Sequence, residues 1–214
     1  MALKVALMTA EKRTEFIPAF TIGPAVASNL MRIEAVRQAI RTLPITPRVL
    51  ANLRETARLF CTHYSTMIEG NRLTQEQVAQ VIREDVRFPG WERDQDEVKG
   101  YYAALDEAER LAKRHEKVSG ATVQRLHALV MAGSRTRVKS TPYRERQNVI
   151  RDARSRSIVY MPPEAKDVPR LMEQLIAWIN QKDELPVPLK AALHITNSPP
   201  FTLITTATDE RPVC

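Results

Sequence analysis

Apolar residues recur at helical spacing through most of the chain. The pattern predicts a first helix from Pro24 to Arg41, with three apolar positions in step: Ile33, Val36 and Ile40. A second helix is predicted to begin at Pro47, since proline suits a first helical turn, and to end at Gly70, since glycine tolerates the left-handed conformation that closes helices. Its apolar residues share one face: Leu50, Leu53, Ala57, Phe60, Tyr64 and Met67.

Four more helices follow from the same pattern. Thr74 and Gln77 form a capping box for a short third helix. A long helix comes after Phe88-Pro89-Gly90, and its predicted inward positions are Val98, Tyr101, Leu105 and Leu111. Another starts after Ser119-Gly120. The next is predicted to be capped by Asp167 and to bury Val168, Leu171, Leu175 and Trp178.

Two short apolar runs interrupt this helical rhythm. Val149 and Ile150 precede a polar turn, and Ser157-Ile158-Val159-Tyr160 follows it, which predicts a small β-hairpin. A last helix is predicted to start near Pro186 or Pro188 and to run to Leu193, after which no period is recognisable. The sequence therefore predicts an all-α fold with one hairpin.

Composition narrows the class of protein. Hydrophobic residues make up 43% and charged residues 27% of the 214 residues, which is typical of a globular protein. No apolar run reaches the roughly 20 residues that span a bilayer, and no signal-peptide cleavage site follows the N-terminus. The only cysteines, Cys61 and Cys214, do not form a disulfide framework. We therefore expect a soluble cytoplasmic protein without membrane association.

The net charge of +7 is concentrated in one segment, between Ser134 and Ser157. Its basic residues are Arg135, Arg137, Lys139, Arg144, Arg146, Arg151, Arg154 and Arg156. A solvated loop is the favoured interpretation, and a nucleic-acid surface is the lesser one, because neither an aromatic platform nor a recognition helix accompanies it.

The residues alone do not identify an active site. The four histidines, His63, His115, His127 and His194, have no partners at metal-ligand spacing. Neither a glycine-rich phosphate loop nor a Ser-His-Asp or Cys-His arrangement is present. We therefore predict no metal site and no catalytic residue in the chain.

One helix end carries a recognisable motif. Ser65, Glu69, Gly70 and Asn71 lie in HYSTMIEGNRLTQEQV, which resembles the (S/T)xxxE(G/N) inhibitory helix of Fic family proteins. Segments further along resemble the Fic flap hairpin, its packing helix and the start of the helix before the catalytic loop: STPYRERQNVI, SIVYMPP, VPRLMEQLIAWIN and LPVPLKAAL. The competing interpretation of the motif is an ordinary helix end, with Gly70 as its cap.

The resemblance covers 33–193 and implies a fold, a partner and a division of the chain. It implies a Fic-type helical bundle with a hairpin flap, incomplete at the C-terminus, and a flap that binds the target protein through six residues: Val149, Ile150, Ser157, Ile158, Val159 and Tyr160. The expected parts are an N-terminal helical region with the inhibitory helix (1–90), a partial Fic core (91–193) and a tail outside the family (194–214).

The resemblance also implies an activity that this chain lacks the means to perform. Fic proteins transfer AMP from ATP to a Ser, Thr or Tyr hydroxyl of a target protein, using Mg²⁺ and a loop of the form HPFx(D/E)GNGRxxR. The loop histidine acts as the base, and the inhibitory glutamate competes with the ATP γ-phosphate for the last loop arginine. That loop is absent, so we expect no productive binding of ATP and Mg²⁺ and an inactive chain.

A shifted reading frame of the tail is compatible with the missing loop. In the frame that starts at the third base of each codon, the codons from Phe201/Thr202 onward permit HPYYDGNGR, and Pro212/Val213 again permits Arg. The other shifted frame offers only Leu or Ser at Phe201/Thr202. We interpret 194–214 as the product of a one-base deletion near Leu193.

Two further expectations follow. A non-catalytic peptide-binding or regulatory module is the main alternative function, since the hairpin can add a strand to an extended peptide. If the chain is truncated, we expect it to be marginally stable, with disorder from about Thr196. We also expect apolar side chains left uncovered at Leu175, Trp178, Ile179, Leu189 and Leu193.

Overall fold

The structure, a computed structural model, describes residues 18, 20–133, 138–147, 149–152, 155, 157–182 and 184–197. Of residues 150–151, 159–160 and 194–197 it describes the backbone alone. Seven α-helices lie in these ranges: α1 (Pro24–Thr42), α2 (Pro47–Ile68), α3 (Gln75–Arg83), α4 (Glu92–Lys113), α5 (Gly120–Ala132), α6 (Val168–Asn180) and α7 (Val187–Asn197). The prediction of a mainly helical protein is confirmed.

Helix starts follow the predicted chemistry at most positions. The Thr46 hydroxyl accepts a hydrogen bond from the Val49 N–H at the start of α2, and Thr74 and Gln77 form the predicted capping box of α3. At α6 the prediction is wrong in detail. Asp167 occupies the N-cap position after a short 3₁₀ turn, yet its side chain makes no capping hydrogen bond. Its carboxylate lies 3.7 Å from the Arg170 guanidinium instead.

The two predicted strands pair with each other. β1 (Ile150–Arg151) and β2 (Ile158–Tyr160) are antiparallel, with Ile150 opposite Tyr160 and Arg151 opposite Ile158. A register irregularity separates the two pairs, and the Asp152 N–H donates to the Ser157 carbonyl across the turn, at 2.9 Å. That this hairpin acts as a flap for a target protein stays a prediction.

Helix α4 is the centre of the N-terminal part, since α2, α3 and α5 all pack against it. Gly100 permits the closest of these approaches. A β-carbon at this position would lie 2.4 Å from the Val130 carbonyl oxygen of α5.

Two apolar clusters form the core. The N-terminal cluster contains Leu73, Val78, Val81 and Val98. The C-terminal cluster contains Val168, Met172, Leu175, Trp178, Leu189 and Leu193, and Ile179 packs against it.

The C-terminal cluster overturns an expectation drawn from truncation. Leu175, Trp178, Leu189 and Leu193 were expected to be uncovered, but each is buried, because α6 and α7 pack against each other through these side chains. α7 also continues four residues beyond its predicted end at Leu193, to Asn197. The expected tail outside the family and its disorder from about Thr196 stay predictions. Most of the tail, from 198 onward, lies outside the described residues.

Uncovered apolar side chains are found at the other end of the chain. No residue of α1 is buried, and Ile33, Val36 and Ile40 are all about half exposed. In α2 the buried residues are Leu59, Thr62 and Thr66, while the apolar face predicted from the sequence points to solvent. Both threonines are buried at little cost, because their hydroxyls donate to the backbone carbonyls of Arg58 and Thr62, one turn earlier.

Candidate functional site

The end of α2 brings the predicted motif residues together. The helix stops at Ile68, Glu69 is its C-cap, and Gly70 follows with φ of +89°, a conformation that glycine adopts without strain. The N–H groups of Gly70 and Asn71 donate to the carbonyls of Met67 and Thr66. The glycine termination predicted from the sequence is therefore present, and it fixes the direction in which the chain leaves the helix.

Ser65 is held from α4. The Tyr101 hydroxyl donates a hydrogen bond of 2.8 Å to the Ser65 hydroxyl oxygen, and both side chains are partly buried. Tyr101 was predicted on the inner face of α4, but its hydrogen bond to the motif was not, because the two residues are 36 positions apart. No local pattern signals such a pairing.

Glu69 differs from the other motif residues in having an exposed side chain. Within the described part of the chain, its carboxylate has neither a hydrogen bond nor an ion pair. The motif therefore presents a negative charge to solvent, on a helix end whose backbone is fixed by Gly70 and whose preceding turn is fixed by Ser65.

Asn71 has a structural role in this chain. It is buried, and its Nδ2 donates to the Asp94 carbonyl at 2.8 Å and to a Glu97 carboxylate oxygen at 3.0 Å. Its Oδ1 accepts from the Leu73 N–H at 3.1 Å. One side chain thus ties the end of α2 to the first turns of α4 and to the start of the N-terminal cluster.

Neighbouring contacts stiffen the same junction. The Arg72 guanidinium lies 2.9 Å from the Asp94 carboxylate and packs over the Trp91 ring, 4.9 Å from its centroid. Gln95 bonds to both backbone groups of Phe88, its amide N–H donating to the carbonyl and its amide oxygen accepting from the N–H. The loops before and after α3 are therefore both fastened to the start of α4.

The predicted flap residues are described unevenly. Ser157 and Ile158 are exposed, and Val149 is half buried. For Ile150, Val159 and Tyr160 the backbone alone is described, and it forms the paired strands. The hairpin lies far along the chain from the α2 motif.

One arginine of the basic segment holds the chain before the hairpin. Arg144 is buried, and its guanidinium donates to the backbone carbonyls of Arg146 and Pro163. Gln147 donates to the Pro162 carbonyl from the same side, at 2.9 Å. Arg144 is therefore not part of a solvent-facing patch. Arg135, Arg137, Arg154 and Arg156 lie outside the described residues.

Comparison with known proteins identifies the fold. Neither a protein-family model nor a curated protein matches the sequence. A solved structure of a Fic family protein from Desulfovibrio desulfuricans G20 is 27% identical, with a TM-score of 0.65, over 88% of this chain and 54% of that one. The chain has a Fic-domain fold.

A second solved structure agrees. It is a Fic domain containing signaling protein from Bacteroides thetaiotaomicron VPI-5482, 18% identical with a TM-score of 0.60, over 71% of this chain and 56% of that one. At that identity the match supports the fold alone. This chain spans about half the length of both Fic structures.

The described residues do not fit the ATP and Mg²⁺ that the Fic fold implies. They contain no group of three His, Cys, Asp or Glu side chains able to hold a metal ion. In a cavity of about 560 Å³ beside α4, Arg58 is paired with Asp106 and Lys99 with Asp85, so its cations are already neutralised. A second cavity, of about 510 Å³, has mainly apolar walls, including Tyr143 and Ile176. No described helix is both long and apolar enough to cross a membrane.

Proposed function

We propose that this chain is the N-terminal part of a Fic-type protein AMP-transferase, and that α2 is its inhibitory helix. The observation that carries the proposal is the end of α2 within a Fic-domain fold. There an exposed, unpaired Glu69 carboxylate follows Ser65 by one turn and precedes a left-handed Gly70. A C-cap carboxylate opposes the helix dipole, and α3 also ends in one, at Glu84. What distinguishes Glu69 is its place in the (S/T)xxxE(G/N) pattern with Ser65 and Gly70.

The chain's own residues contribute inhibition and target binding in this proposal, and not catalysis. Glu69 pairs with an arginine of the catalytic loop and so occupies the position and the positive charge that the γ-phosphate of ATP requires. Ser65 and Gly70 orient that carboxylate. The base and the phosphate-binding loop belong to sequence that the proposed frameshift near Leu193 replaces with 194–214. As it stands, the chain is inactive.

The repaired enzyme provides the test of Glu69. Purified as it is, the chain should show no Mg²⁺-dependent transfer of AMP to itself or to lysate proteins. Restoring the frame after Leu193 should yield measurable transfer, and Glu69→Gly should raise it at least several-fold. Glu69→Gln, which keeps the shape and removes the charge, should raise it as well.

A matched control separates inhibition from general effects on helix ends. Glu84 is an exposed glutamate at the C-cap of α3, so Glu84→Gln makes the same change outside the motif. It should leave transfer unchanged. Equal activity of the repaired enzyme with and without Glu69 would mean that Glu69 is only a helix-end residue. Transfer by the unrepaired chain would overturn the truncation.

We assign target binding to the hairpin. β1 and β2 form a two-stranded sheet in the described chain, so each strand leaves one backbone edge free to pair with an extended peptide. The exposed Ser157 and Ile158 flank such a peptide. The same property supports the alternative of a non-catalytic peptide-binding module. Binding of a target-derived peptide, lost on Ile158→Pro, tests the hairpin in either case, because proline cannot donate to a strand ladder.

A further inference from the structure

The solvent-facing side of α2 is an unbroken apolar strip, which we call the outer seam. It consists of Leu50, Leu53, Ala57, Phe60, Tyr64 and Met67. All but Leu50 are exposed, with Leu53 at 55%, Tyr64 at 52%, Met67 at 46% and Phe60 at 41%. The chain offers nothing that covers this strip among the described residues.

The outer seam lies opposite the face that α2 packs against its own chain. Leu59, Thr62 and Thr66 are the buried residues of α2, and at about 100° per residue they point about 150° away from the seam. The seam is therefore not the edge of the internal core. α2 therefore has two faces suited to packing, one buried within its own chain and the other, the outer seam, exposed to solvent.

The spacing of the seam is that of a helix–helix interface. Its residues are separated by 3, 4, 3, 4 and 3 positions, the a/d repeat of coiled coils. A helix that packs on a core usually has a broader apolar stripe, and a strict a/d stripe is the narrower seam of a coiled coil. The period fits a second helix lying nearly parallel or antiparallel to α2.

The seam is complementary to itself in the antiparallel direction. When two copies of α2 run in opposite directions, the seam pairs as Leu50 with Met67, Leu53 with Tyr64 and Ala57 with Phe60 of the other copy. Ala57, the smallest seam residue, thus faces the bulky Phe60 of the other copy at the centre, and the pair occurs twice. A parallel pair would instead set Phe60 against Phe60 and Ala57 against Ala57, which fills space poorly.

The residues beside the seam allow this pairing. In the antiparallel register Arg54 lies beside Cys61 of the other copy, and Thr56 lies beside His63. No two like charges meet, and no carboxylate is brought into the contact. Val49 and Ile68, exposed at 48% and 80%, extend the apolar area at either end.

The exposed area of the seam is near that of a standard interface. Complete burial of the seam residues with Val49 and Ile68 would remove at most roughly 700 Å² per copy from solvent, against about 800 Å² per partner in a standard interface. Phe60 lies near the middle, where residues that dominate binding energy are usually found.

We propose that the outer seam is a dimerisation surface, on which a second copy of this chain packs its own α2 antiparallel to the first. The surface is independent of the proposed AMP transfer and uses none of Ser65, Glu69 or Gly70. Each α2 is then buried on both sides.

Mass measurement tests the dimer. Light scattering after size exclusion, on the intact chain, should give twice the 24.3 kDa chain mass at micromolar concentrations. Phe60→Glu should give the monomer mass, with an unchanged helical circular dichroism spectrum. Met131→Glu is the matched control, because Met131 is also an exposed apolar residue, at 51%, but lies on α5; it should remain dimeric.

The antiparallel direction of the two α2 helices is tested by cross-linking through the native Cys61. In a Cys214→Ser background, Arg54→Cys should form a disulfide-linked dimer under mild oxidation, since Arg54 lies beside Cys61 of the antiparallel partner. Arg48→Cys, an exposed arginine off the seam, should not. The proposal would be overturned by a monomer at all concentrations, by a dimer that survives Phe60→Glu, or by a monomer that binds vesicles. It would also be overturned by cross-linking through Thr56→Cys in place of Arg54→Cys, because a parallel pair places Thr56 beside Cys61.

Discussion

Replacing Asn71 tests how the end of α2 is held, and Asn71→Ala should lower the free energy of unfolding by about 2–4 kcal/mol. The Leu73 N–H, on a residue only 2% exposed, would lose its acceptor, and a buried unpaired donor costs about 1–3 kcal/mol. The hydrogen bond to the Glu97 carboxylate would add about 1 kcal/mol or slightly more. Against a total margin of about 5–15 kcal/mol, this loss is large.

Urea unfolding followed by circular dichroism measures the loss as a shift in midpoint at constant slope. Asn71→Asp sharpens the test. It keeps an acceptor for the Leu73 N–H but replaces the donor with a carboxylate oxygen facing the Asp94 carbonyl and Glu97, so at pH 7 it should be at least as destabilising. Asn52→Ala is the control, because it makes the same substitution at an exposed position of the same helix. A shift within 0.5 kcal/mol of wild type for Asn71→Ala, near the ordinary range of surface substitutions, would refute this account of the junction.

Three further outcomes are expected. Gly100→Ala should lower the free energy of unfolding by about 2 kcal/mol or more, although alanine is the better helix former, because its β-carbon would meet the Val130 carbonyl oxygen at 2.4 Å. Gly23→Ala should not lower it, because Gly23 has open space around it. Equal melting temperatures of the two variants would contradict the close packing. Arg110 and Arg125 hold the pKa of the Glu107 carboxyl at about 2, below its usual 4.5. Glu107→Gln should therefore lower the free energy of unfolding above pH 4.5, and its difference from wild type should shrink as the pH falls toward 2. A difference in urea midpoint that does not depend on pH would count against the ion pairs. Burial lowers the pKa of His127, whose ring nitrogens have no partner among the described residues. The stability of the protein should therefore fall as the pH drops below 6.5. His127→Leu should flatten this pH dependence, whereas His115→Leu, at an exposed position, should not.

Local chemistry made the helices and their ends predictable. Pro47, the Thr74–Gln77 capping box and Gly70 act within one turn of the chain, so their effect can be read without knowing the fold. The Fic resemblance could be recognised for a related reason. The motif around Ser65 and Glu69 is confined to one helix end, and the other resembling segments follow it in order along the chain.

The remaining features depend on tertiary partners. Thr62 and Thr66 are buried on a helix that packs against α3 and α4, whereas sequence periodicity favoured the apolar face on the other side of α2. The pairing of Ser65 with Tyr101, and of Asn71 with Asp94 and Glu97, joins positions more than twenty residues apart. The packing of α6 on α7, which buries Trp178 and Leu193, likewise could not be inferred from an interrupted family pattern.

The two core clusters set an order of events during synthesis. The N-terminal cluster is made entirely from residues 73–98, and the C-terminal cluster from residues 168–193. At roughly 5–20 residues per second, the 70 residues from Val98 to Val168 take the ribosome about 4–14 s to add. Closing a short loop takes well under a microsecond. Each nascent chain therefore contains all the residues of its first cluster, together with α2 and the start of α4, several seconds before α6 is translated.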